Sequence, residues 1–223
     1  MHSGHRERMK QRFRETELNG FSDVNVLELL LFYALPRQDT NPLAHKLIAR
    51  FGSFQDVIDA PYEDLLSVSG VGDNVATLLK LIPAVCKRYT RSKQKRKMSY
   101  TRYEDLEDYV IPLFSFDTEE TLFMICMDSG NHITYCEPLN KGQLESVSVE
   151  PRDVVRVAMN ERATRVVLAH NHPSGVAMPS TSDISLTMSI KEALALFNIE
   201  LLDHFIVAEE ACMSMRKHGF FRQ

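Results

Sequence analysis

The chain has 223 residues, 44% hydrophobic and 25% charged, with a formal net charge of −4. That is enough apolar material for a sizeable core, and the length fits one large domain or two modest ones. No apolar run reaches the ~20 residues needed for a helix to span a bilayer; the longest, Val26 to Leu35, is interrupted by Glu28, so no membrane association is expected. The opening residues, MHSGHRERMKQRFRE, lack the apolar core of a signal peptide. Cys86, Cys126, Cys136 and Cys212 show no CxxC spacing, which predicts reduced thiols in a cytoplasmic protein. Charge is unevenly distributed. Residues 1–97 hold 16 basic against 11 acidic side chains (+5), and residues 98–223 hold 10 against 19 (−9). A basic part joined to an acidic part predicts two domains with different partners.

In chain order, the first part reads as helical throughout. SDVNVLELLLFYAL opens with a Ser22/Asp23 cap signal and spaces Val24, Leu27, Leu30 and Leu31 along one helical face. NPLAHKLIARFG places Pro42 at a first helical position after Asn41, with Gly52 beyond the end. SFQDVIDA and PYEDLLSV predict two short helices, and Leu78 to Tyr89 a last one, with Pro83 as a possible kink. Lys87 to Ser99 has seven basic residues in its first eleven. It is either a solvated helix end or a linker, and it can add to nucleic-acid affinity. The expected boundaries are a helical domain over 1–90, a basic linker over 91–100 and a second domain over 101–223.

The second domain changes pattern. YEDLEDYVIPLF reads as a helix, Glu120 to Asp128 as a buried strand, Ser129 to Asn131 as a tight turn, and HITYCEPL as the returning strand. SVSV, Ser146 to Val149, alternates as a short strand, and PRDVVRVAMNER is a helix opened by Pro151. TRVVLAH is a strand, TSDISLTMSIKEALALF a helix, and IELLDHFIVA and CMSMRK close as strands. Strands alternating with helices predict an α/β domain.

Gly70-Val71-Gly72 lies between two helical segments. Glycines on either side of an apolar residue let the chain turn sharply and expose N–H groups at the start of the next helix, a ready phosphate site. The same pattern serves a plain corner between helices. It resembles the helix-hairpin-helix motif, which grips a nucleic-acid backbone without reading sequence. Lys80 and the basic run lie downstream and could add phosphate contacts to DNA.

His170 and His172 close the strand RVVLAH. Residues two apart on a strand face the same way, so the two imidazoles stand side by side. Asp183 falls in the first turn of the next helix, and the intervening loop can fold its carboxylate back over them. Two imidazoles and a carboxylate leave a fourth tetrahedral position for water, the form of a catalytic zinc site. The other reading also stands: Ser180 or Ser182 caps the helix, Asp183 suits its positive end, and Pro173 and Gly175 shape a loop.

HNHPSGVAMPSTSD matches His-x-His-Pro-x(6)-Ser-x-x-Asp, the JAMM signature of the MPN/JAB metalloproteases. With LLDHFIV and EPRDVVRVAM, the chain resembles the RadC family, which carries a helix-hairpin-helix region ahead of its JAMM domain. The resemblance covers nearly the whole chain, most densely residues 120–215. It implies a mixed α/β sheet flanked by helices, JAB/MPN-like and cytidine-deaminase-like, behind an all-α N-terminal domain. By the same resemblance His170, His172 and Asp183 match the zinc ligands, and Ser180 the serine that steadies the oxyanion. A catalytic glutamate is implied at the start of an upstream strand, where Glu119 and Glu120 stand; Glu120, directly before the apolar run, is the choice. Departures are Glu150-Pro151-Arg152-Asp153 where the family usually has His before this helix, Gly142-Gln143 in place of Gly-Thr, and FYALPRQDTNP in the first part. None touches the expected ligands. His204 and Asp203 read as structural residues or as partners behind the ligands.

The implied function is a zinc-dependent peptidase or isopeptidase acting on a protein or peptide. The alternative is a DNA-repair or recombination-associated binding protein whose metal site is not a peptidase. An HNH nuclease is disfavoured, because that name describes three well-separated residues. A zinc deaminase needs HxE with PCxxC, and the chain has no CxxC.

Overall fold

The computed structural model describes residues 3–96, 102–139, 149–173, 175–209 and 211–221. The chain divides into two compact units, Met1–Cys86 and Lys87–Gln223.

The first unit contains α1 (Ser3–Thr16), α2 (Asp23–Ala34), α3 (Asn41–Phe51), α4 (Phe54–Asp59), α5 (Tyr62–Leu66) and the start of α6 (Asp73–Arg96). Ser22 and Asn25 cap α2 reciprocally, side chain to backbone in both directions. Pro42 lies in the first turn of α3, and Gly52 closes it at φ +111°, where a side chain would be strained. The core gathers Leu27, Leu31, Leu47, Val57, Leu65 and Leu79. Glu28, which breaks the apolar run of α2, is nevertheless buried. It is satisfied by Asn41 Nδ2 and His5 Nε2, each donating at 2.9 Å. The sequence gives α1 little apolar pattern. Met9 packs on Leu29 and Phe32, and the Arg6 guanidinium donates to the carbonyls of Phe32, Leu35, Pro36 and Gln38 at the end of α2.

The basic run differs from its expected outline. Helix α6 continues through Pro83 to Arg96, so positions 91–96 of the expected linker are helical, and 97–101 lie outside the described residues. Lys, Arg and Gln are good helix formers, so charge alone does not end a helix. Part of the run is also anchored. Within the second unit, Lys87 and Arg91 pair with the buried carboxylate of Asp117, and Arg91 lies 4.7 Å over the Phe123 ring.

In the second unit, β1 (Leu122–Met127), β2 (Ile133–Pro138), β3 (Arg165–Asn171), β4 (Glu200–Ala208) and β5 (Ala211–Ser214) form one sheet in the order β2-β1-β3-β4-β5. The β3–β4 pair is parallel and the other pairs are antiparallel. Helices α8 (Pro151–Asn160) and α9 (Thr181–Ala195) pack on one face over Leu122, Met124, Val166, Leu168 and Ile206. The other face is covered by α7 (Leu106–Val110) and the 3-10 turns Tyr103–Asp105 and Ile111–Phe114, over Phe123, Ile125, Val167 and Phe205. The helix expected over 103–114 is therefore broken into three short pieces; Pro112, which lacks an N–H, sits in the last. Cover on both faces explains why β1 and β3 read as continuous apolar runs. The final strand ends at Ser214, short of the expected Lys217, because the Arg216 N–H turns to Asp203 Oδ1 at 3.0 Å. The expected strand over 146–149 and the Gly142-Gln143 pair fall on positions of which 140–148 lie outside the described residues.

Strand β4 carries a bulge. Val166 pairs with Leu201 but Val167 with Asp203, leaving Leu202 as the extra residue. The bulge resets the alternation, so both Leu201 and His204 face α9.

Candidate metal centre

Strand β3 carries His170 and ends at Asn171, one residue before His172. The loop after them reverses at Gly175, where φ is +85°, a conformation glycine adopts without strain. The turn is closed by the Gly175 N–H donating to the His172 carbonyl at 3.1 Å. It brings the start of α9 back over the strand end. Glu120, His170, His172 and Asp183 each place a ligand atom within 4.8 Å of the others, and this cluster can hold a metal ion.

The separations fit a small tetrahedral ion. Ligands ~2.05 Å from a tetrahedral centre stand about 3.3 Å apart. His170 Nε2 to Asp183 Oδ1 is 3.4 Å, and His172 Nε2 to Asp183 Oδ2 is 3.5 Å. The two Nε2 atoms are closer, at 2.8 Å. Asp183 Oδ2 also receives the Ser180 N–H at 2.7 Å and its hydroxyl at 2.6 Å. Oδ1 is thus the oxygen left for an ion. Burial on its own would push the Asp183 carboxyl up, but the nearby His170 ring and the two hydrogen bonds from Ser180 outweigh it and hold the group well below the usual carboxylate range.

Partners behind the imidazoles fix their tautomers. His172 Nδ1 donates to the Val176 carbonyl at 3.0 Å, leaving the Nε2 lone pair facing the cluster. Behind His170 the path is longer. His170 Nδ1 meets His204 Nε2 at 2.9 Å, His204 Nδ1 meets Thr187 Oγ1 at 2.7 Å, and the Thr187 hydroxyl donates to the Asp183 carbonyl at 2.5 Å. Burial, then the neighbouring His170, lowers His204 to about 3, so it is a neutral ring with a single N–H. With that hydrogen on Nδ1, every bond in the path has one donor and one acceptor, and His170 Nε2 is free to ligate.

A family model, the RadC-like JAB domain, matches residues 100–220. The chain belongs to that family. The five-stranded sheet flanked by helices is the JAB-like α/β fold.

In this RadC-like JAB domain the remaining expected residues sit as follows. Glu120 precedes β1 and is exposed, and among the described residues nothing hydrogen-bonds its carboxylate. Glu119 is not one of the clustered residues; its carbonyl accepts from Asn171 Nδ2 at 3.1 Å. Ser180 is the N-cap of α9, and its hydroxyl accepts from the Asp183 N–H at 3.2 Å. It therefore performs the capping role that the sequence also allowed. Asp203 is structural: its carboxylate takes the Tyr103 hydroxyl at 2.6 Å, the Ser214 hydroxyl at 2.5 Å and the Arg216 N–H.

Two contributors escape a reading of the sequence. Thr187 reads as one polar position on a helix, and Asn171 as a spacer between two histidines. Their partners are distant along the chain, and no spacing rule marks them.

The glycine pair lies outside the matched residues. Gly70 has φ +102°, which the turn itself requires, while Val71 is buried in the helical core and a Cβ on Gly72 would meet nothing within 4 Å. Lys80, expected to add a phosphate contact, is engaged within the helical unit. Its ammonium donates to the carbonyls of Ile58 and Ala60, each at 2.9 Å, and so closes the C-terminal end of α4. Among the described residues no helix is long and apolar enough to cross a membrane.

Proposed function

We propose that this chain is a zinc-dependent hydrolase of peptide or isopeptide bonds. The observation that carries the proposal is the meeting of two imidazoles and two carboxylates, drawn from the approach to β1, the end of β3 and the first turn of α9. Zinc, when bound, supplies a Lewis acid that polarises the scissile carbonyl and brings coordinated water within reach of deprotonation near neutral pH.

The side chains divide the remaining work. His170, His172 and Asp183 are the holding set, all neutral or anionic as a cation requires. Glu120 differs from them in being exposed and in having a carboxylate with no hydrogen-bond partner among the described residues. It is suited to take a proton from the attacking water and hand it to the leaving amine. The Ser180 hydroxyl now points to Asp183 Oδ2; a rotation about its Cα–Cβ bond turns the same donor toward a developing oxyanion.

Three proteins test the proposal together. The unaltered chain is expected to retain stoichiometric zinc on purification and to cleave members of a quenched-fluorescent library of linear peptides and lysine-linked isopeptides. Glu120→Gln should keep its zinc and lose about 10²–10⁴-fold in rate, and His172→Ala should lose the zinc. A zinc-loaded chain that cleaves nothing, or a Glu120→Gln chain as active as the unaltered one, overturns the proposal. Cross-linked capture on the zinc-loaded Glu120→Gln chain then identifies what the site acts on.

A further inference from the structure

The last residue pair of the antiparallel β1–β3 ladder is Leu122 with His170. Beyond it the strands fork. Strand β3 stays with β4 for another residue, Asn171 opposite Val207, and the His172 N–H then donates to the Val207 carbonyl at 2.8 Å. On the β3 side, the backbone of Glu119 to Thr121 thereby has no strand partner among the described residues, at the point where Glu120 must be placed.

The Asn171 side chain spans this fork. Its Oδ1 accepts the Thr121 N–H at 2.8 Å, and its Nδ2 donates to the Glu119 carbonyl at 3.1 Å. The partners decide the amide's orientation, since an N–H needs an acceptor and a carbonyl needs a donor. Asn171 is buried, whereas Glu120 is exposed. The two bonds close on the peptide groups on either side of Glu120, and among the described residues no hydrogen bond reaches the Glu120 side chain itself. We infer that Asn171 is a positioning residue: its amide takes the place of a β3 backbone partner and holds Glu120 toward His170, His172 and Asp183. The inference rests on Glu120 being the base of the proposed hydrolase.

An amide is the group that can do this. Alanine removes both bonds. Aspartate keeps the acceptor for Thr121 but sets an oxygen against the Glu119 carbonyl and adds a charge beside Glu120. Glutamine is one methylene too long for a buried position.

The test uses the full chain loaded with Co²⁺ in place of zinc, whose visible absorption reports the surroundings of the ion. The pH midpoint of that spectrum is measured for the unaltered chain, Glu120→Gln, Asn171→Ala, Asn171→Asp and the Glu120→Gln/Asn171→Ala pair. Glu120→Gln should move the midpoint. Asn171→Ala should move it in the same direction while leaving Co²⁺ affinity within about threefold, and should add nothing in the Glu120→Gln background. The Thr121 amide should exchange with solvent about tenfold faster in Asn171→Ala, with Asn171→Asp between it and the unaltered chain. Asn171→Asp also serves if the alanine variant folds poorly. If Glu120→Gln leaves the midpoint in place, the base reading fails. If Glu120→Gln moves it but Asn171→Ala and Asn171→Asp do not, or if the effects of the pair simply add, the positioning role fails alone.

Discussion

Thr187→Val is a sharp perturbation because it changes one hydroxyl into one methyl in a buried position whose side chain touches the cluster only through the Asp183 backbone carbonyl and the His204 ring. Thr187 Oγ1 accepts the Nδ1 hydrogen of His204 at 2.7 Å, and that hydrogen is the only one a neutral His204 has. Without the acceptor, the N–H is buried and unsatisfied, at about 1–3 kcal/mol. The ring can escape by moving its hydrogen to Nε2. But Nε2 is the atom that accepts from His170 Nδ1 at 2.9 Å, so the escape reverses His170 as well and puts a hydrogen on the nitrogen that faces the ion. Either route weakens the metal. Losing a partner of this kind typically costs 10–100-fold in metal affinity, equal to about 1.4–2.7 kcal/mol. The assay is a zinc titration against a chromophoric chelator of known affinity, with urea unfolding of the metal-free protein run in parallel. Thr187→Ser, which keeps the hydroxyl, should bind within about threefold of the unaltered chain. A folded Thr187→Val protein that binds zinc within twofold of the unaltered chain would refute the tautomer path, as would a Thr187→Ser protein that loses as much as Thr187→Val.

Two further predictions concern stability. Lys80→Met removes an ammonium from the carbonyls of Ile58 and Ala60 and should lower unfolding free energy by roughly 1–2 kcal/mol, measured by denaturant titration of the full chain; an unchanged midpoint would mean that the ammonium is not a working cap. Burial, then the neighbouring Glu161 and Cys136, pushes the Cys126 thiol from 9.0 up to about 12. A raised folded-state value gives stability that is full below pH 9 and is lost as pH climbs toward 12, because the unfolded chain releases its proton first. Cys126→Ala should therefore lose less stability than the unaltered chain between pH 8 and pH 10 in urea unfolding, whatever its offset at pH 8; equal losses would count against the shift.

The parts legible in the sequence were those in which one residue's environment is decided by its near neighbours. Strands β1 and β3 are buried on both faces, so each shows as an apolar run. The cap of α9 is legible because Ser180 and Asp183 are three apart and bond to each other. The sequence leaves the helical continuation to Arg96 open between a helix end and a linker. A charge run gives no periodic apolar signal, and the partner that anchors it, Asp117, lies more than twenty residues away. Buried Glu28 was read only as an interruption, since its neighbours His5 and Asn41 come from other helices.

The centre itself shows the same division. Its proposed ligands lie within fourteen consecutive residues, His170 to Asp183, and spacing alone brings them under suspicion. What makes them competent depends on register. His204 can reach His170 only because Leu202 is bulged out of β4; in an unbulged strand the same pairing at Val166 would turn His204 to the opposite face. Asn171 can hold Glu120 only because β1 leaves β3 one pair before β3 leaves β4. A slip of one residue in either ladder would keep every proposed ligand in the sequence while unsetting the tautomer of one and the position of the proposed base. The ligand set is thus written locally, and its readiness for chemistry is written in how three strands part company at one end of the sheet.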